Sequence, residues 1–238
     1  MRNGLGDRHL DPEASCPRAD WAARTLHHQV CRHRRRARAR VSRVGLFGGS
    51  FNPPHLGHLI CAQEAGEQLQ LDRVVLVPLH TPTHRDLPGD PGPAARLALC
   101  EAAVNGNSLL DVSAIEVERS GDSFTIDTLR SWREMNPDDE LTLILGHDAA
   151  SGFGSWREPA EVLDHCRLAV VSREGESEQS VAEQIRAEFE RAEIVTVTMP
   201  RVDISSSAIR ERIGNGLPAR YFVAPAVDAL IESEGWYR

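Results

Sequence analysis

Lysine is absent from all 238 residues, so the 27 basic side chains are arginines. A chain that avoids lysine and uses arginine freely carries the codon bias of a GC-rich genome, not a design for nucleic acid. Long apolar runs are missing too. No stretch approaches the roughly 18 to 20 apolar residues of a membrane span. The first residues lack the apolar h-region of a secretory signal. Cysteine is sparse: Cys16, Cys31, Cys61, Cys100 and Cys166 are odd in number and scattered, with no CxxC pair. That excludes a disulfide framework and points to a reduced, cytoplasmic protein with incidental thiols. Cys31 lies near His27, His28 and His33, but at no spacing that metal ligation requires.

The charge is unevenly divided. Residues 1–43 hold 11 Arg and 4 acidic residues, a net of +7, and the remainder holds 16 Arg and 31 acidic residues, a net of −15, together the −8 of the whole chain. An acidic body argues against a nucleic-acid partner, because such binding needs a basic face to replace counterions. Residues 1–43 show no clean period and include the run Arg32, His33, Arg34, Arg35, Arg36, Arg38 and Arg40. Few apolar residues mean too little burial to offset ordering entropy. The segment reads as a disordered Arg-rich extension, or as sequence upstream of a true start at Val41. A nucleic-acid arm and a transit peptide are the remaining readings, the latter disfavoured by Asp7, Asp11, Glu13 and Asp20.

From residue 44 to 238 the texture is that of one folded domain, and 41% apolar content is enough for its core. Val44 to Phe47, Val74 to Pro78, Leu141 to Leu145, Leu168 to Val171 and Ile194 to Val197 read as buried strands. Leu110 to Val117 alternates as a strand would. Leu59 to Gln70, Ala94 to Val104, Thr125 to Met135, Pro159 to Asp164, Val181 to Ala192, Ser205 to Gly214 and Ala224 to Ser233 read as helices. Pro82 to Pro93 is a loop rich in Pro, Gly and Asp. Strand and helix alternate, which implies an α/β domain: a doubly wound, mostly parallel sheet with helices on both faces. Ligands in such folds sit at the carboxyl ends of strands, near the switch in strand order.

Two constellations occupy those places. The first is Gly48-Gly49-Ser50-Phe51-Asn52-Pro53-Pro54-His55-Leu56-Gly57-His58. Gly48 and Gly49 let backbone N–H groups approach an anion at a helix start. His55 and His58 are three apart on the opening turn and project to nearly the same side. Imidazoles there can donate to phosphate oxygens and take up charge as it builds in a transition state. The bland reading is an ordinary turn with two structural histidines. The second constellation is Ile204-Ser205-Ser206-Ser207-Ala208-Ile209-Arg210, where hydroxyls and free N–H groups open a helix and Arg210 adds full charge. By itself it is equally well a Ser cap with a surface arginine.

Together the two segments resemble the HxGH and ISSTxxR signatures of the nucleotidyltransferase superfamily, with Asn52 where Asp is usual. The middle of the chain narrows the resemblance to bacterial nicotinate-nucleotide adenylyltransferase. Glu116-Val117-Glu118-Arg119-Ser120-Gly121-Asp122-Ser123-Phe124-Thr125-Ile126-Asp127-Thr128-Leu129 is similar to that family's ExxRxGxSYTxDTL, with Phe124 for Tyr. Gly146-His147-Asp148, Trp156 and Val170-Val171-Ser172-Arg173 also match, as does Pro82-Thr83-His84-Arg85, with Arg85 for the usual lysine.

The resemblance implies a Rossmann-like fold and transfer of AMP from ATP to nicotinate mononucleotide. It assigns catalysis to His55, His58 and Arg210. ATP and phosphate contacts fall to Gly48, Gly49, Ser50, Phe51, Gly57, Gly146, Asp148, Ile204, Ser205, Ser206 and Ser207. Arg85, Phe124, Thr125 and Trp156 fall to the acceptor, with Trp156 as a stacking face and the 124–125 main chain reading the carboxylate. Mg²⁺ would arrive with ATP, held by phosphates and water rather than by a carboxylate cage. Asp127 reads as readily as a helix-start charge with no ligand, and Arg119 as a solvated surface residue. The rivals are another phosphorylated acceptor, such as nicotinamide mononucleotide or phosphopantetheine, and a non-catalytic nucleotide sensor or a nucleic-acid-binding relative of the class I synthetases, the last two disfavoured by the intact histidine turn, Arg210 and the acidic body. A homo-oligomer is left open.

Overall fold

Apolar runs without alternation become strands covered on both faces. Val44, Leu46 and Phe47 are 0–8% exposed, and Val74 to Val77 are 0–2% exposed. The computed structural model describes residues 41–82, 89–173 and 178–238. The expected disorder of the N-terminal extension, and the acceptor role of Arg85, lie outside the described residues.

Six strands form one parallel sheet: β1 Arg43–Gly49, β2 Arg73–Pro78, β3 Leu110–Val112, β4 Glu140–Gly146, β5 Arg167–Arg173 and β6 Ile194–Met199. Their order is β3-β2-β1-β4-β5-β6. The chain winds outward from β1 in one direction and then returns to β4 on its other side. The switch therefore lies between β1 and β4, which is where such sheets open a ligand crevice.

The helices are α1 Leu56–Gln68, α2 Pro93–Val104, α3 Ile115–Arg119, α4 Thr125–Met135, α5 His147–Ser151, α6 Pro159–His165, α7 Glu178–Glu188, α8 Ser206–Gly214 and α9 Pro225–Glu234, with a short 3₁₀ turn at Phe153–Ser155. Cys61, Ala62 and Ala65 of α1 and Cys100 of α2 pack with Leu76, Ile144 and Val171 on one side of the sheet. Ile126, Leu129 and Trp132 of α4, with Val162 of α6 and Ile185 of α7, pack with Leu46, Val75 and Leu143 on the other. Leu99 of α2 gathers Ile209, Ile213, Val227 and Ile231 into a third cluster that docks α8 and α9. The sheet is tight at its centre: a Cβ at Gly45 would sit 2.8 Å from both Ile144 Cδ1 and Leu71 Cδ1, and those side chains would have to shift. None of the helices is long and apolar enough to cross a membrane, among the described residues.

One expected element is corrected. Leu110 to Val117 is not a single strand. β3 stops at Val112, and α3 begins at Ile115. After Ser113 N–H makes a last bond to Leu76 O of β2 at 2.9 Å, the local backbone donors turn to short polar side chains: Val112 N–H donates to Asp111 Oδ1 at 2.8 Å, and Ile115 N–H to Ser113 Oγ at 3.3 Å. The strand-like alternation of Ile115, Val117 and their neighbours is absorbed into one helical turn, which buries Glu116.

Candidate active site

The carboxyl ends of β1 and β4 open into a cleft of about 840 Å³. That is at the large end for small-molecule sites. From the β1 side come Gly48, Gly49, Ser50, His55, Gly57 and His58. From the β4 side come Gly146, His147 and Asp148. Ile204, Ser205, Ser206, Ser207 and Arg210 close one wall, and Glu116, Ser123, Thr125, Thr128 and Trp156 the other.

The turn after β1 is rigid by construction. Phe51 holds φ of +46° and is fully buried. Its ring meets Phe47 edge-on at 5.6 Å and His58 edge-on at 5.1 Å. Phe51 thus stands behind the histidine and does not line the cleft. The His55 and His58 rings stack with centroids 3.7 Å apart and planes 26° apart. His55 N–H donates to His58 Nδ1 at 3.2 Å. With Nδ1 accepting, the neutral His58 ring carries its proton on Nε2.

Ser205 caps α8 by accepting from Ala208 N–H at 3.2 Å. The next residues bind the first motif directly. Ser206 Oγ donates to Pro53 O at 2.8 Å, and Arg210 donates to Asn52 O at 2.7 Å and to Ser207 Oγ at 3.2 Å. Two motifs about 150 positions apart in sequence are one structure. Behind them, burial holds the Tyr237 phenol above its ordinary value; Asp90 adds to that, while Arg210 and Arg96 oppose it. Arg210 is the one arginine among the described residues of the cleft lining, and Glu116 and Asp148 are its carboxylates. The described residues hold no cluster of three or more His, Cys, Asp or Glu able to hold a metal ion.

On the opposite wall, α4 begins at Thr125 with no side chain capping its first turn, so its leading N–H groups are available to an anion. Phe124 precedes it, its ring lying 4.7 Å beneath the Arg157 guanidinium rather than in the cleft. Trp156 lines the cleft with its ring against Phe153 at 5.5 Å. Asp127 points elsewhere, to Arg130 at 3.3 Å and Arg157 at 3.7 Å. Arg119 is not merely solvated, since both its terminal nitrogens donate to Thr128 Oγ1 at 3.3 Å. Thr128 in turn donates to Glu116 Oε1 at 2.6 Å.

The arrangement offers an anion-binding floor between two helix starts, two imidazoles at its centre, and an aromatic face at one end. A cytidylyltransferase-like family profile matches residues 46–212. The "Probable nicotinate-nucleotide adenylyltransferase" of Shouchella clausii is 39% identical over 197 residues, 83% of this chain and 97% of that protein. The chain belongs to the nicotinate-nucleotide adenylyltransferase family. A protein of the same name from Thermus thermophilus is 40% identical over 196 residues, 82% of this chain and 100% of that one. The fold is shared more widely. The solved structure of Plasmodium falciparum nicotinic acid mononucleotide adenylyltransferase complexed with NaAD superposes with a TM-score of 0.67 at 16% identity, covering 82% of this chain and 97% of that one.

Sequence reasoning missed Arg96. It lies inside α2 among alanines and leucines, its side chain 0% exposed, and it reaches the turn after β1. Its signal was legible in part: Arg96 shares the i, i+3, i+4 face with buried Leu99 and Cys100. His147 also lines the cleft, with a buried Nδ1 that has no hydrogen-bond partner among the described residues.

Proposed function

We propose that the chain transfers the adenylyl group of ATP to nicotinate mononucleotide, giving deamido-NAD and pyrophosphate. The observation that carries this reading is the pair of bonds from Arg210 and Ser206 to the carbonyls of Asn52 and Pro53. They join both phosphate-handling motifs on one side of the cleft, leaving the α4 start and Trp156 to face them as an acceptor site.

A phosphate oxygen of the mononucleotide attacks the α-phosphorus of ATP. The bond to the bridging oxygen breaks and pyrophosphate leaves. The nucleophile is already an anion, so the protein needs no covalent intermediate and no strong base. Its work is to align two repelling anions and stabilise the spreading charge. His58 Nε2–H and His55 donate to the α and bridging oxygens. Arg210 and the Ser205–Ser207 turn hold the departing pyrophosphate, and Gly48, Gly49 and Ser50 border the triphosphate. Asp148, in the cleft lining, takes a ribose hydroxyl. The main chain at Phe124 and Thr125 takes the nicotinate carboxylate, and Trp156 stacks on the ring. Mg²⁺ enters as part of the MgATP substrate and neutralises phosphate charge. The acidic body disfavours nucleic acid, and the buried thiols fit a reducing, cytoplasmic setting.

Pyrophosphate release measured with nicotinate mononucleotide, nicotinamide mononucleotide and phosphopantetheine as acceptors tests the reading. The acid mononucleotide should give the highest kcat/KM. Preference for either other acceptor would replace the assignment, and no release with any would overturn the activity.

A further inference from the structure

We infer that Arg96 is a positioning residue that sets the distance between the ATP half and the acceptor half of the cleft. The inference rests on the two-half reading above, though not on which acceptor is used. A fully buried arginine must find partners for its N–H groups or destabilise the fold. Those of Arg96 go to two different walls. Nη1 donates to Ser50 O at 3.2 Å, in the turn that follows β1. Nη1 also donates to Leu79 O at 2.6 Å, and Nη2 donates to His80 O at 2.8 Å, both just beyond β2. Nε donates to Asp90 Oδ1 at 2.9 Å, which neutralises the guanidinium.

The segment after β2 in turn carries the acceptor loop. His80 N–H donates to Ser123 Oγ at 2.8 Å, and Ser123 N–H donates to Thr81 O at 3.0 Å. Ser123 and Thr125 line the acceptor wall, and Ser50 lines the ATP wall. One planar guanidinium therefore spans the gap, through backbone carbonyls that cannot swing away as side chains would. Lysine carries the same charge, but a single nitrogen cannot meet four acceptors spread around a planar fork.

Direct transfer between two bound anions is sensitive to their separation, and a misplacement of about 1 Å costs about a hundredfold in rate. The test compares Arg96→Lys and Arg96→Ala with the wild-type chain. Circular dichroism and melting establish that each is folded. Calorimetry gives the separate dissociation constants for MgATP and for nicotinate mononucleotide, and pyrophosphate release gives kcat. Positioning predicts that each dissociation constant stays within about threefold while kcat falls about a hundredfold. Guanidinium ion should restore turnover to Arg96→Ala, and urea, of similar shape but uncharged, should not. A lower melting temperature with kcat unchanged overturns the inference, and so does loss of MgATP binding in step with kcat. If neither Arg96 variant folds, Ser123→Ala decides, because it removes the His80 N–H to Ser123 Oγ bond of the acceptor-side link and leaves Arg96 and the backbone Ser123 N–H to Thr81 O bond in place. It should lower kcat with both dissociation constants retained, and an unchanged kcat there overturns the inference. Should the wild type prefer another acceptor, the acceptor assignment fails while the same comparison is run with that acceptor.

Discussion

Replacing His58 separates two jobs that one ring performs. Nδ1 accepts the His55 N–H at 3.2 Å, and in the proposed mechanism Nε2–H donates to phosphate. His58→Ala removes both. Loss of a single transition-state donor costs about two to three orders of magnitude in kcat, or about 3–4 kcal/mol. Loss of the internal hydrogen bond costs stability, by about 1 kcal/mol. His58→Asn keeps an acceptor near the Nδ1 position but is too short to replace Nε2, so it should match Ala in rate and the wild type in stability. His58→Gln extends an amide N–H toward the Nε2 position and should recover about tenfold of the lost rate, a fraction of one charge-assisted bond. Pyrophosphate release at saturating ATP and acceptor, read beside thermal melts, measures both quantities. A His58→Ala variant within tenfold of wild-type kcat would refute the role of the ring in the transition state.

Further outcomes can be checked with the same assay. Gly57→Ala places a Cβ 3.1 Å from Cε1 and Nδ1 of His55; kcat should fall by about tenfold or more through a displaced ring, with little change in melting temperature. Trp156→Ala should raise the acceptor KM by about tenfold, about one aromatic stacking contact, and leave the KM for ATP unchanged. Burial pushes the thiols of Cys61 and Cys166 up to about 12, and that of Cys100 higher still. The thiolate is therefore negligible at neutral and mildly alkaline pH, and mass spectrometry after iodoacetamide should find these three cysteines unlabelled until the chain is denatured.

Most strands announced themselves because both faces are covered, so that Val74 to Val77 and Leu168 to Val171 form unbroken apolar runs. The segment after Val112 misled because its alternation suits a strand and a short helical turn alike, and only the turn to local acceptors at Asp111 and Ser113 marks where the strand ends. α5 and the 3₁₀ turn at Phe153–Ser155 are too short to carry a helical period. At the site, the resemblance of the motifs pointed to residues whose backbone or polar ends line the cleft. It could not separate Phe51, which braces His58 from behind, from its neighbours in the same motif. Arg96 escaped because a lone arginine in a helix reads as solvated; its place on the face of Leu99 and Cys100 hints at burial, and its tertiary partners show where it goes.

The bonds from Arg210 to Asn52 and from Ser206 to Pro53 close loops of 158 and 153 residues. Bringing such distant points together is slow and entropically costly, and it follows the formation of local structure. Synthesis proceeds from the N-terminal end, so the histidine turn leaves the ribosome long before the helix that completes it. Nascent and truncated chains ending before Ser206 should therefore lack high affinity for ATP, and nucleotide binding serves as a readout of whether the chain has been finished and folded.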